Sequence, residues 1–209
     1  NNYTTERNMS ILVGKKAPDF TVPATLGNGE ITGSFNLAET IKDKYAIVFF
    51  YPLDFTFVCP SELIAMDARM DKFRELGVEV IGVSIDSHFT QNAWKNTPVN
   101  EGGIGKVQYT LAADLDHSIA ANYGVLVGDD LSGYPAGTAM RGSFVIDQDG
   151  IVRSQVVNDE PIGRNMDELI RIVEGYQFFK EHGQVCPAGW NKGKAAMTPG
   201  IDGVAEYLK

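Results

Sequence analysis

Cys59, one of two cysteines in the chain, stands in the run Pro52-Leu53-Asp54-Phe55-Thr56-Phe57-Val58-Cys59-Pro60-Ser61-Glu62. A free cysteine is most often buried, inert packing, so its surroundings must argue for chemistry. Thr56, three residues earlier, can bring a hydroxyl to the sulfur, and Pro52 can shield the pocket from water. Pro60 suits the first position of a helix, where its missing N–H has no partner to lose. A sulfur where a strand ends and a helix begins meets unpaired backbone N–H groups and the positive end of the helix dipole, which favour the thiolate. The thiolate is the nucleophilic form, so the chemistry on offer is attack on an electrophilic atom.

The elements that hold this loop are legible on either side. Tyr45-Ala46-Ile47-Val48-Phe49-Phe50 is a continuous apolar run, rich in aromatic and β-branched residues, and predicts a buried strand. Residues 61–76 place Leu63, Met66, Met70 and Phe73 at the spacing of one helix face. Gly77 ends that helix, and Val78-Glu79-Val80-Ile81-Gly82-Val83-Ser84 predicts the next strand. Strand, helix and strand in that order imply a parallel pair with a right-handed crossover.

The remaining chain adds weaker signals. Residues 1–10 are expected to be an N-terminal arm, or, with Met9 as initiator, to include a foreign leader over 1–8. Leu26-Gly27-Asn28-Gly29-Glu30 is a turn, and residues 87–96 predict a helix carrying Trp94 that stops before Pro98. Tyr109-Thr110-Leu111-Ala112 is a short strand, residues 116–123 a helix capped by Asp116, and residues 124–140 a long surface loop. Asp147-Gln148-Asp149-Gly150 marks a hairpin between two strands. Residues 165–179 form an amphipathic helix, followed by a tail of turns and a short helical piece at 204–208. No repeat or linker interrupts this order. The expected domains are the arm at 1–10, one α/β domain at 11–180 with a mixed central sheet and helices on both faces, and a C-terminal extension at 181–209. That layering suggests a thioredoxin-like fold. Thr56 occupies the place of the first thiol in a C-x-x-C loop, so dithiol exchange at this loop is excluded.

Composition bounds the rest. The 209 residues suffice for a sizeable core, and 44% hydrophobic with 22% charged residues is ordinary for a globular chain. A net charge of −9 argues against nucleic acid and anionic lipid as partners. No apolar run is long enough to span a bilayer, and the polar first residues do not read as a signal peptide. Two cysteines are too few for a disulfide scaffold; chemistry in a reducing, cytoplasmic setting is the expectation. His88, His117 and His182 offer bases for a rival Cys–His hydrolase but stand in no recognisable signature. Metal-ligand spacing is lacking, and no metal, haem or other cofactor is expected.

From Leu12 to Lys209 the chain resembles the typical two-cysteine peroxiredoxins, close to the bacterial alkyl hydroperoxide reductase C type. The resemblance is carried by the Pro52–Glu62 run, by Arg141-Gly142-Ser143-Phe144-Val145-Ile146-Asp147 and by Val185-Cys186-Pro187. It implies a thiol peroxidase acting on hydrogen peroxide and small organic hydroperoxides. In that reading Cys59 attacks the O–O bond and Arg141 stabilises the developing charge. Glu62 orients Arg141, Arg164 is a second site arginine, and Thr56 and Pro52 complete the pocket. Cys59 is left as a sulfenic acid, and Cys186 resolves it as a disulfide. In the family that disulfide joins two chains; the residues by themselves leave an intrachain bond open. The family also implies a homodimer assembling to a decamer, subunit contacts that include residues 86–94, and recycling by thioredoxin or a dedicated flavoprotein disulfide reductase. A redox-regulated holdase chaperone or peroxide sensor is the alternative from another class. Gly102-Gly103-Ile104-Gly105 resembles a loop linked in the family to over-oxidation, while its usual Tyr-Phe companion stands here as Tyr207-Leu208. The loop at 124–140 is longer than its family counterpart.

Overall fold

The computed structural model describes residues 11–128 and 133–209. The expected arm at 1–10 lies outside the described residues, as do four positions of the loop at 124–140. Seven strands form one mixed sheet: β1 (Thr21–Thr25), β2 (Ile31–Asn36), β3 (Tyr45–Phe50), β4 (Val78–Ser84), β5 (Thr110–Ala113), β6 (Arg141–Ile146) and β7 (Val152–Asn158). Their order is β2-β1-β5-β4-β3-β6-β7. The strands β3, β4 and β5 run parallel, and the flanking pairs are antiparallel. This is the thioredoxin-like arrangement expected from the sequence.

Parallel pairing explains why β3 is apolar throughout: it is buried on both faces. Val48 and Phe50 enter one core cluster with Val83, Tyr123, Phe144 and Ile146. There the rings of Phe50, Tyr123 and Phe144 stand 5.0–5.8 Å apart. On the alternate positions Phe49 meets Tyr109 edge-on at 5.5 Å, and Tyr51, just past the strand, lies 5.9 Å from Trp94.

Register then decides which residues meet. Phe49 near the end of β3 pairs with Ser143 near the start of β6, so Arg141 lies at the end of the sheet where the cysteine loop leaves. Antiparallel pairing of Arg141 with Asn158 brings the exit of β7 to the same end. Parallel pairing brings the exit of β4 there as well.

Several sequence expectations need correction. The helix expected over 61–76 is two, α2 (Cys59–Asp67) and α3 (Met70–Glu75), with a turn at Ala68 and Arg69. Arg69 Nη1 folds back to the Ala65 carbonyl at 2.8 Å, which covers an acceptor at that break. Cys59, not Pro60, is the first residue of α2, and Pro60 is the second. A short α1 (Leu37–Thr40), capped by Asn36, follows β2 and had no strong periodicity to reveal it. The helix expected over 87–96 is α4 (His88–Lys95), one residue shorter at each end, because Ser87 is its cap and accepts from the Thr90 N–H. The helix expected over 116–123 with Asp116 as its cap is α5 (Ser118–Asn122), and the residue in the cap position is His117. Asp114 accepts from the Ile119 and Ala120 N–H groups at 2.9 and 2.8 Å, while Asp116 accepts from Ser118. The segment 124–140 is not simply a surface loop, since Val125, Val127, Tyr134, Thr138 and Ala139 are buried and Leu126 bridges to Ala139.

In the Gly102-Gly103-Ile104-Gly105 loop one glycine is required by space. A Cβ on Gly103 would lie 1.9 Å from the Thr97 carbonyl oxygen, and that carbonyl is fixed by the Gly105 N–H at 3.2 Å. Gly103→Ala is expected to destabilise the fold by about 1–3 kcal/mol, the usual range for overpacking. The check is the denaturant midpoint; an unchanged midpoint would show that the loop relaxes freely.

Residues 165–209 form a second compact unit. Its long helix α6 (Met166–His182) is capped by Asn165 and ended by Gly183 at φ 67, three residues beyond the expected stop at 179. A bridge between Val185 and Met197 and the short helix α7 (Ile201–Tyr207) complete it. Among the described residues no helix is long and apolar enough to cross a membrane.

Candidate active site

Cys59 opens α2 with its sulfur buried at 1% exposure. The first-turn N–H groups of a helix lack intrahelical partners and carry the positive end of its dipole. Arg141 Nη1 lies 3.3 Å from Cys59 Sγ, and the guanidinium is as buried as the sulfur. The same Nη1 donates at 2.7 Å to Glu62 Oε1, so one turn of α2 carries both the sulfur and the carboxylate that aims the arginine.

Glu62 is held from a second side. Arg164 donates to it through its backbone N–H at 2.9 Å, Nε at 2.6 Å and Nη2 at 3.1 Å. Arg164 Nη1 reaches the Gly142 carbonyl at 2.8 Å, and its guanidinium lies 5.5 Å over the Phe49 ring. Burial works against the Glu62 charge, but the Arg164 hydrogen bonds and charge, aided by Arg141, hold its carboxyl below the usual range. Burial likewise opposes the Arg141 charge; contact with Cys59 and Glu62 outweighs it and raises that guanidinium further. Two buried cations share one buried carboxylate, so a thiolate would complete the local balance. The Glu160 carboxylate, 3.5 Å from Arg141 Nη2, is partly exposed and compensates less.

The sequence reading missed two supports. Arg141 Nε donates at 2.6 Å to the Glu160 carbonyl. Tyr134 Oη accepts from the Arg141 N–H at 3.1 Å and donates to the Asn158 carbonyl at 2.6 Å. Neither contact follows from local pattern: each depends on the β6–β7 register and on a buried ring in the loop before β6.

Thr56 donates its hydroxyl to the Leu53 carbonyl at 2.8 Å, so its proton is committed to the loop and its lone pairs remain to accept. Pro52 is buried beside Tyr51 at the loop's start. The neighbouring rings are less protected: Phe55 is half exposed and Phe57 is 95% exposed. The histidines lie elsewhere. His88 stacks on Phe89 at 4.0 Å and His182 on Phe178 at 4.4 Å, while His117 precedes α5 in the left-handed region at φ 65. A guanidinium, not an imidazole, contacts the sulfur.

Cys186 belongs to the second unit. Its Sγ lies 3.5 Å from the Gly175 carbonyl of α6, and Gly175 also faces the Trp190 ring, where an added Cβ would meet both side chains at an ordinary contact distance of 3.6 Å. Trp190 is buried, stacks 5.1 Å from Phe178, and donates Nε1–H to the Lys194 carbonyl. Burial pushes the Cys186 thiol up, and the charge of Arg171 acts in the opposite sense.

The AhpC/TSA family model matches residues 13–155, and the C-terminal domain of 1-Cys peroxiredoxin matches residues 175–209. Alkyl hydroperoxide reductase C of Helicobacter pylori is 51% identical over 199 residues, covering 95% of this chain and 97% of its own. Peroxiredoxin-2 of Rattus norvegicus is 47% identical over 198 residues, covering 94% of each chain. Among solved structures, the reduced 2-Cys peroxiredoxin of Plasmodium vivax superposes with a TM-score of 0.88 at 45% identity, covering 95% of this chain and 98% of its own.

Proposed function

The chain belongs to the AhpC/TSA family and is a thiol-dependent peroxidase, and from that premise we propose that Cys59 attacks the peroxide and Cys186 resolves the product. The observation that carries the assignment is the buried Cys59 sulfur 3.3 Å from a guanidinium that is itself fixed by Glu62.

The chemistry follows from those contacts. The Cys59 thiolate attacks one peroxide oxygen, an S–O bond forms and the O–O bond breaks. The sulfur loses two electrons, and the leaving oxygen departs as water or alcohol once protonated. Arg141 and the first-turn N–H groups of α2 meet the negative charge as it shifts from sulfur to oxygen. Thr56, with its proton given to Leu53, accepts a hydrogen bond from the peroxide O–H. Pro52 keeps water from the sulfur. Glu62 and Arg164 position Arg141.

The Cys59 sulfenic acid then condenses with the Cys186 thiol, forming an S–S bond and releasing water. A dithiol donor, thioredoxin or a dedicated flavoprotein disulfide reductase, restores both thiols. Hydrogen peroxide and small organic hydroperoxides are the substrates proposed, the cytoplasm the compartment, and a homodimer assembling to a decamer the form. Exposed Phe57, in the cysteine loop, and exposed Phe89, on α4, supply apolar surface for such contacts. The division proposed from the sequence puts the resolving thiol in a C-terminal tail at 181–209.

Stoichiometric peroxide is expected to give a dimer on a non-reducing gel, with Cys59 of one chain bonded to Cys186 of the other. Cys186→Ser should allow one rapid turnover and accumulate sulfenic acid on Cys59. A monomer containing linked Cys59 and Cys186 peptides would instead establish an intrachain bond. Full multiple-turnover activity in Cys186→Ser would remove Cys186 from the mechanism.

A further inference from the structure

Asp54 lies in the middle of the cysteine loop, two residues before Thr56 and five before Cys59, yet it is only 7% exposed. Tyr51 Oη donates to its Oδ1 at 2.7 Å, while its Oδ2 is enclosed with no hydrogen-bond partner. The Asp54 backbone N–H donates at 2.9 Å to Asp86 Oδ2, which also accepts from Ser84 Oγ at 2.8 Å. A buried carboxyl from the loop after β3 is thus tied, through its own backbone N–H, to a half-buried carboxyl from the turn after β4. Burial first, and the neighbouring Asp86 second, favour a proton on Asp54. The next residue, Phe55, is held at φ 54, a conformation that a bulky side chain adopts only under constraint. The carboxyl contact sits where that constraint must be supplied.

We propose that Asp54 and Asp86 form a proton-sharing pair that latches the cysteine loop onto the turn between β4 and α4, closed while the pair keeps its proton and released when the proton passes to solvent. Asp54 is then a positioning residue: through the loop it fixes the Leu53 carbonyl that holds Thr56, and the approach of Cys59 to Arg141. The inference rests on the reading that Cys59 condenses with Cys186, since a thiol at 1% exposure reaches a second sulfur only when its loop opens.

The groups that face the pair support a proton rather than a counter-ion. Tyr51 faces it from the end of β3, and its phenol is kept neutral, chiefly by burial and then by the Asp54 charge. Ser84 faces it from β4, and from α4 the neutral Gln91 amide donates to Ser84 at 3.1 Å. The charged or titratable residues of α4 are engaged elsewhere: His88 stacks on Phe89, and Lys95 Nζ donates to the Leu26 and Tyr109 carbonyls at 2.9 and 2.7 Å. Burial first, and the Asp86 charge second, push the closed-loop Asp54 carboxyl up to about 8, whereas a solvated one titrates near ~4. The closed loop therefore holds a proton that the open loop releases. Closure weakens as pH rises from ~4 to about 8, by up to about tenfold per pH unit, and does not weaken further above that.

Trp94 can report this, because its ring lies 5.8 Å from Phe55 and 5.9 Å from Tyr51. In a reduced Trp190→Phe chain Trp94 is the sole tryptophan, and its emission can be followed from about pH 5 to about pH 9. A transition ending near pH 8 is expected. Asp54→Asn, which mimics the protonated carboxyl, should keep the low-pH emission throughout. Asp86→Asn gives Asp54 an amide donor in place of a like charge, so the closed loop tolerates an ionised Asp54 and the transition should shrink or vanish. If Asp54→Asn fails to fold, the Asp86→Asn profile decides. A transition of unchanged amplitude in the folded variants, or a flat wild-type profile, overturns the latch. The titration uses neither peroxide nor Cys186, so it stands or falls apart from the disulfide reading.

Discussion

Cys59→Ser is expected to abolish peroxide reduction, with a loss on the order of 10⁴–10⁶-fold, the scale reached when an enzyme's nucleophile is removed. A serine hydroxyl stays protonated at neutral pH, and its oxygen cannot take the place of sulfur as the two-electron donor to the O–O bond. The neighbouring groups would remain. Glu62 would still hold Arg141 at 2.7 Å and Arg164 at 2.6 Å, and the smaller side chain would remain at the first position of α2. The fold should therefore survive, so the loss belongs to chemistry. Stopped-flow peroxide consumption by reduced protein, beside a thermal melt, makes the comparison. Residual activity within tenfold of the wild-type chain would take the nucleophile's role away from Cys59.

Cys59 was legible because its setting is local: a buried strand, a turn and a helix start, read within a dozen residues. Arg141 and Arg164 were not legible in that way. As isolated residues they look like solvated charges, and family resemblance had to nominate them. Their burial arises from antiparallel pairing of β6 with β3 and of β7 with β6, long-range facts that no sequence window contains. The same limit hid Tyr134 and the Glu160 carbonyl, which matter only once β6 and the exit of β7 are neighbours. The apolar strands β3 and β4 were clear because burial on both faces leaves an unbroken signal. The helix over 61–76 was over-extended for a related reason: apolar spacing continues across Ala68 and Arg69, while the break is made by backbone turns that spacing does not encode.

Arg141→Met is expected to slow peroxide attack by about 10²–10³-fold, the usual cost of losing one preorganised donor to a developing oxyanion. The variant keeps an unbranched apolar stem and removes the group 3.3 Å from the sulfur. Its informative contrast is Arg164→Met. After Arg141→Met, Glu62 keeps the Arg164 N–H, Nε and Nη2 donors, so the carboxylate stays paired and the fold should lose little. After Arg164→Met, Glu62 loses the Nε and Nη2 donors and keeps Arg141 Nη1 and the backbone N–H of residue 164, while the Gly142 carbonyl loses its 2.8 Å donor as well. Removing one partner of a buried ion pair commonly costs about 3–5 kcal/mol, so this variant should fail mainly in stability. The pH sign separates them further. Glu62 titrates below the usual carboxylate range in the folded chain, so its stabilising contribution is present above the ordinary range and is lost as pH falls through its own lowered value. Arg164→Met should erase much of that acid-side dependence, whereas Arg141→Met should keep most of it. Attack rates from stopped-flow mixing and denaturant midpoints at neutral and acid pH measure both. An Arg141→Met chain with wild-type attack rates would shift oxyanion stabilisation to the helix N–H groups and to Arg164.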